Sequence, residues 1–154
     1  MILLFAVVVA FVVSLVTGGR PERLARVSIR WAWLAPLVFA AQAYLIYHPA
    51  PRAEGLLSIR ALVMVISYGL LIPLMWVNRR LPGMKLIALG LALNFVVMIA
   101  NGGYMPITRE ALTQSGLAHL ILGDQPGARV LNTKDILLPR DATRLWWLSD
   151  IFVI

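Results

Sequence analysis

Four apolar runs dominate the first two-thirds of the chain, at residues 1–17, 31–47, 61–77 and 86–100. Each is 15 to 17 residues long, at the short end of the roughly 17–25 needed to cross a hydrocarbon core as a helix. No Asp, Glu, Lys or Arg falls inside any of them. The pattern predicts four membrane-spanning helices, with flanking residues completing each crossing. Beyond Ala100 the apolar runs stop. Asn101-Gly102-Gly103 predicts a helix end closed by left-handed residues, and Tyr104-Met105-Pro106 continues the turn. Thr108 then caps a short helix reaching Thr113 or Gln114, with Glu110 in its first turn. Gly116, Gly123-Asp124, Pro126-Gly127 and Pro139 break up the remainder. Asp141 is placed to cap a last helical segment over 142–148, whose Trp146-Trp147 pair suits the outer interface. Leu117, Leu120, Ile121 and Leu122 make the middle of this tail too apolar for a free linker, so it folds back on the helix ends or docks on a partner. The expected fold is an all-α polytopic membrane protein, with a four-helix domain over 1–100 and an extracytoplasmic tail of short helices over 101–154.

Composition agrees with lipid as the solvent. The chain is 60% hydrophobic and 14% charged, against roughly 25% charged in soluble domains. Its net charge of +7 lies wholly in the first 100 residues. That stretch holds nine Lys/Arg and two acids, and residues 101–154 hold five of each. The basic residues form no continuous patch, which argues against nucleic acid as a partner. There is no Cys, so disulfides, thiolate metal sites and thiol nucleophiles are excluded.

The charge distribution also predicts direction. Arg20, Arg23, Arg26 and Arg30 fill the first gap, and Arg79, Arg80 and Lys85 the third. The second gap holds Arg52 and Arg60 against Glu54. The positive-inside rule puts gaps one and three in the cytoplasm, and the N-terminus, the 48–60 loop and residues 101–154 outside the cytoplasmic membrane. The first run has no basic residue before it and four Arg after it, the reverse of a cleaved signal peptide, and is read as a retained anchor. Pro21 suits a first helical turn, and the four Arg recur on one helical face, as in an interfacial helix touching lipid phosphates. An ordinary stop-transfer cluster explains the same residues.

Few residues offer chemistry. Gln42, Tyr68 and Asn94 are neutral polar groups within the runs. Gln42 and Asn94 should face other helices, where a packing hydrogen bond is worth roughly 1 kcal/mol. A substrate contact is the sharper alternative. Gly69 and Gly90 permit close helix approach nearby, and Pro36 and Pro73 mark tolerated kinks. His48 and His119 with Asp124 or Asp150 match no metal-ligand spacing. Ser115, Thr133 and Ser149 have no base at a motif spacing. The reading includes no cofactor, no metal and no catalytic residue.

Several of these positions carry a family resemblance. Asn78-Arg79, Leu81-Pro82-Gly83, Leu86-Ile87, Gly90-Leu91, Leu93-Asn94, Ala100-Asn101-Gly102-Gly103 and Met105-Pro106 look like a bacterial membrane-protein family known only as domain of unknown function 5317. Ala111-Leu112, Gly116 and Gly18-Gly19-Arg20 extend the match. Thr143-Arg144-Leu145 with Leu148-Ser149-Asp150 resembles a segment usually written Leu-Gly-Asp, Ser149 replacing the Gly. Members of that family continue through a proline-rich stretch into a final apolar helix. Ile151-Phe152-Val153-Ile154 reads as the start of such a segment, and a fifth helix would return the C-terminus to the cytoplasm. The resemblance implies a fold and an address, and no activity. The functional expectation is a non-catalytic accessory or assembly subunit of a larger bacterial membrane complex, an electron-transport assembly being one such complex. A small carrier for an uncharged solute or lipid, using Gln42, Tyr68 and Asn94, is the rival.

Overall fold

The computed structural model describes residues 2–18, 26–48, 50 and 53–149, side chains from Val8 onward. Residues to Ile29 form one compact unit and those from Arg30 another. In the first unit, helix α1 (Ile2–Val16) is apolar at every position except Ser14. The Thr17 hydroxyl donates to the Val13 carbonyl at 2.8 Å, and Gly18 turns the chain with φ +83°. Arg20 and Arg23, half of the expected interfacial face, fall outside the described residues.

The second unit is mostly helical. Helices α2 (Leu34–Tyr47), α3 (Ile59–Val77) and α4 (Met84–Ala100) follow the second, third and fourth apolar runs with small shifts at their ends. α3 packs against both neighbours. One helix of the described chain, α3, is long and apolar enough to cross a membrane by length and composition; α2 and α4, at 14 and 17 residues, are shorter. Ser58 starts α3 by accepting the Ala61 N–H at 3.2 Å, the expected role of an N-cap hydroxyl. Pro36 lies in the first turn of α2, where a missing N–H costs nothing. Pro73 sits inside α3, which continues to Val77.

The buried face of α3 runs through Ala61, Met64, Ser67 and Leu74, a three-to-four-residue spacing that keeps one stripe inward. At one end Leu34 and Val38 of α2 pack on Leu74. At the other, Leu45, Met64, Val97 and Met98 pack with Met105. Gln42 and Ser67 meet between these clusters.

The tail folds back on the helix ends, but its apolar middle packs within the tail itself, and the fold is not built of helices alone. Strands β1 (Met105–Ile107) and β2 (Asp135–Leu137) pair in parallel, Met105 opposite Asp135. Three-residue strands are too short to leave an alternating pattern. Helix α5 (Arg109–Gln114) forms as expected, with the Thr108 hydroxyl accepting the Ala111 N–H. Ile107, Leu112, Val130 and Leu137 build a small core of the tail's own. The tail joins the helices through Met105, Leu145 and Leu148 on one side and through Tyr104 and Ile136 against Ala61 on the other.

The helix expected over 142–148 is replaced by two 3₁₀ turns, Arg140–Ala142 and Trp146–Leu148. Two observations explain this. Leu145 between them is left-handed, with φ 55°. The N–H and carbonyl of Arg144 are both engaged by the Asn101 side chain, so neither is available to a helical ladder. Asp141 makes no capping bond to the first turn, which follows Pro139.

Candidate functional site

The polar side chains that matter most are two asparagines ending successive helices. Asn78 ends α3 and Asn101 ends α4. Asn78 accepts the Arg30 N–H through Oδ1 at 2.8 Å and donates through Nδ2 to the carbonyls of Arg30 and Leu74, each at 2.8 Å. Asn101 accepts the Arg144 N–H at 2.9 Å and donates to the carbonyls of Arg144 and Val97 at 2.9 and 2.8 Å. Each amide is buried and spends both of its N–H groups. In each case the residue after the clamped arginine is left-handed, Trp31 with φ 59° and Leu145 with φ 55°. The segments are also alike in sequence: Arg30-Trp31-Ala32-Trp33-Leu34 and Arg144-Leu145-Trp146-Trp147-Leu148. Because α3 and α4 are joined by a short loop and run antiparallel, the two clamps close opposite ends of the hairpin.

The Asn101-Gly102-Gly103 turn is built as its glycines suggested. Gly102 (φ +78°) and Gly103 (φ +92°) are left-handed, and the Gly103 N–H returns to the Met98 carbonyl at 2.7 Å, the Schellman closure of a helix end. A Cβ on Gly103 would stand 2.7 Å from the Ala61 Cβ, so the turn presses directly on α3. Pro106 is buried within β1.

Of the three polar candidates within the apolar runs, Gln42 donates to the Ser67 hydroxyl at 3.0 Å, and Ser67 donates on to the Met64 carbonyl at 2.7 Å. Tyr68 packs against the Leu45–Met64–Val97 cluster. Asn94 is half-buried on α4. Ser67 is thus a partner of Gln42. Its hydroxyl was visible in the sequence, but the register between α2 and α3 was not.

Sequence reasoning missed a buried cation. Arg129 is 2% exposed. Its guanidinium donates to the carbonyls of Asp135 and Thr133 at 3.3 and 3.1 Å and lies 4.4 Å from the centre of the Tyr104 ring. Burial pushes its pKa below the ordinary arginine range, and Tyr104 and Asp135 pull it partly back. An arginine stays charged at neutral pH, so the tail is built around a desolvated positive charge. Its only trace in the sequence is a cation between Ala128 and Val130 in an apolar stretch.

The other candidates serve local structure. His48 stacks on Tyr44 at 4.8 Å, and its carbonyl accepts from Arg60. The His119 ring nitrogen lies 3.1 Å from the Gly116 carbonyl. Asp124 pairs with Arg109 at 2.9 Å on the surface, where such a pair adds little. Ser115, Thr133 and Ser149 donate to the carbonyls of Ala111, Val130 and Trp146 and so close turns. Arg26, Arg79, Arg80 and Lys85 are exposed. Arg30 is exposed too, and its backbone carries one clamp.

Comparison with curated proteins and with solved structures finds no match. A family model does match, over residues 26–154, and it covers the helical hairpins, both asparagine clamps and the folded tail. The chain belongs to the family of unknown function DUF5317.

Proposed function

We propose that this protein is an integral membrane protein, its four helices crossing the bacterial cytoplasmic membrane and its tail lying outside, and that it serves as a non-catalytic accessory subunit of a larger membrane complex. The observation that carries the membrane part is the outer surface of α2, α3 and α4. Phe39, Ile66, Leu86, Ile87 and Leu89 are each more than half exposed, and only 22% of the apolar window of α3 is buried. In water such a surface is a large unsatisfied apolar patch; in hydrocarbon it needs no cover. Exposed Trp33 and Trp76 lie at one end of the hairpins and exposed Tyr44 and Tyr47 at the other, where amphipathic rings favour the two interfaces. Residues beyond the helix ends complete the shorter crossings, and the cation-rich ends face the cytoplasm.

The accessory role is supported by where the polar groups go. Gln42, Asn78 and Asn101 are each committed to holding elements together, which suits a rigid scaffold better than a solute path. Extraction in mild detergent, native sizing and mass spectrometry test this reading. Fixed partner proteins are expected at constant ratio; a lone monomer under those conditions would sink the accessory role.

A further inference from the structure

We propose that the groove between the C-terminal end of α3 and the first half of α4 is a binding site for one anionic phospholipid. The proposal rests on the membrane reading above and adds a ligand class to it. The groove encloses about 940 Å³. Its walls are apolar: Ile72 and Met75 from α3, and Ala88, Leu89 and Ala92 from α4. Ala88 and Ala92 stand one helical turn apart on the same face, and their methyl groups leave width that larger side chains would fill. From Lys85 to Ala92 the groove follows seven residues of helix, roughly 10 Å, room for the upper part of an acyl chain.

The mouth has the opposite character. Arg79, Arg80 and Lys85 line it, and no carboxylate does. None of the three forms an ion pair among the described residues. Arg79 donates to the Trp76 carbonyl at 3.0 Å and lies 4.7 Å from the Trp76 ring centre, which fixes its guanidinium at the rim with other N–H groups to spare. α4 also starts here without a side-chain cap, adding a little positive potential. A second groove, at the opposite end of α3, is the internal contrast. It encloses about 580 Å³ between α2 and α3 and carries Glu54 beside Arg60, so its mouth has no excess charge. Three unpaired cations above an apolar slot match a negatively charged headgroup above an acyl chain, as in basic pockets between membrane helices. A free phosphate would use the cations and leave the slot unused.

Native mass spectrometry of the full-length protein in mild detergent, titrated with phosphatidylglycerol or phosphatidylcholine, tests the site. One phosphatidylglycerol per chain is expected, favoured at least about tenfold over phosphatidylcholine. Arg80→Gln with Lys85→Gln should erase that preference. Ala92→Phe, which fills the slot and leaves the charge alone, should abolish the bound lipid while millimolar inorganic phosphate fails to displace it from the wild type. Equal binding of the two lipids by the wild type overturns the proposal. So does displacement by phosphate combined with unchanged binding in Ala92→Phe, the behaviour of a solvent phosphate site. Alkaline carbonate extraction of native membranes separates the two readings. A chain released to the supernatant defeats the membrane reading and the site together, whereas a chain that sediments but shows no lipid preference defeats the site alone.

Discussion

The side-chain amide of Asn101 grips both backbone groups of Arg144, accepting its N–H and donating to its carbonyl, each at 2.9 Å. A neighbouring strand would satisfy the same two groups. Asn78 does this for Arg30 at the other end of the hairpin. The arrangement needs two donors and one acceptor at one fixed reach, and Asn has that set.

Asn101→Asp keeps the shape and removes the donors, turning an oxygen toward the carbonyls of Val97 and Arg144. The expected loss is about 2–4 kcal/mol, from broken hydrogen bonds and unmet buried groups. Thermal melting in detergent should show it, and limited proteolysis should open the tail beyond Tyr104. Asn78→Asp should lower stability similarly and expose the segment before α2 instead. Cleavage at the same site in both variants would contradict two independent clamps.

Gly103→Ala should destabilise by more than about 2 kcal/mol, combining a left-handed φ with a contact that must open. Ala61→Gly in the same chain should recover the steric share and leave roughly 1 kcal/mol of conformational cost. A double-mutant cycle on melting temperatures measures the coupling. Purely additive effects would mean that Gly103 and Ala61 do not press on each other.

Gln42→Leu should be mild, at roughly 1 kcal/mol or less. Ser67 still donates to the Met64 carbonyl, so no buried donor is stranded. Unfolding in mixed detergent micelles should place Ser67→Ala below Gln42→Leu, because it also loses the Met64 bond and strands the Gln42 amide, and the double variant should recover part of that difference. A collapse of the fold in Gln42→Leu alone would assign that side chain more than a packing role.

Arg129→Leu should cost the tail about 2–4 kcal/mol, from the guanidinium bonds lost at the buried Asp135 carbonyl and the half-buried Thr133 carbonyl. Arg129→Lys should rescue little, since the compact ammonium lacks the planar fork of donors that lets the guanidinium reach both carbonyls beside the Tyr104 ring. The Tyr104 near-ultraviolet signal and the melting of the tail report both. Full stability in Arg129→Lys would show that charge alone is needed there.

The helices were legible because apolar runs of this length have few other solutions, and α2, α3 and α4 start and stop within three residues of the predicted runs. Thr108 and the Asn-Gly-Gly turn were legible because capping chemistry is local. What the sequence hid was pairing at a distance. Asn101 was read as a turn residue, yet its side chain reaches a backbone 43 positions away. Asn78 carries part of the family resemblance, but nothing local in the sequence shows that its side chain reaches Arg30, 48 positions away. The similar Arg-x-x-Trp-Leu segments at 30–34 and 144–148 are the one sequence signal the two clamped segments share. Arg129 was opaque, since burial of a charge depends on a core that only the folded tail creates.

The parallel pairing of β1 with β2 also sets a timetable. Met105 waits for Asp135, 30 positions later, whereas the bridges Ile121–Val130 and Arg129–Ile136 close over far shorter loops. Loop-closure entropy favours the short loops first, and each one formed shortens the path left for the long pairing. The interior of the tail should therefore zip before its edge is sewn to the helix ends. During synthesis β1 stands idle, its backbone unmatched, until Leu137 has been delivered. Pulsed hydrogen exchange during refolding should protect Leu122 and Leu131 ahead of Met105 and Leu138; the reverse order would mean that the helix ends template the tail.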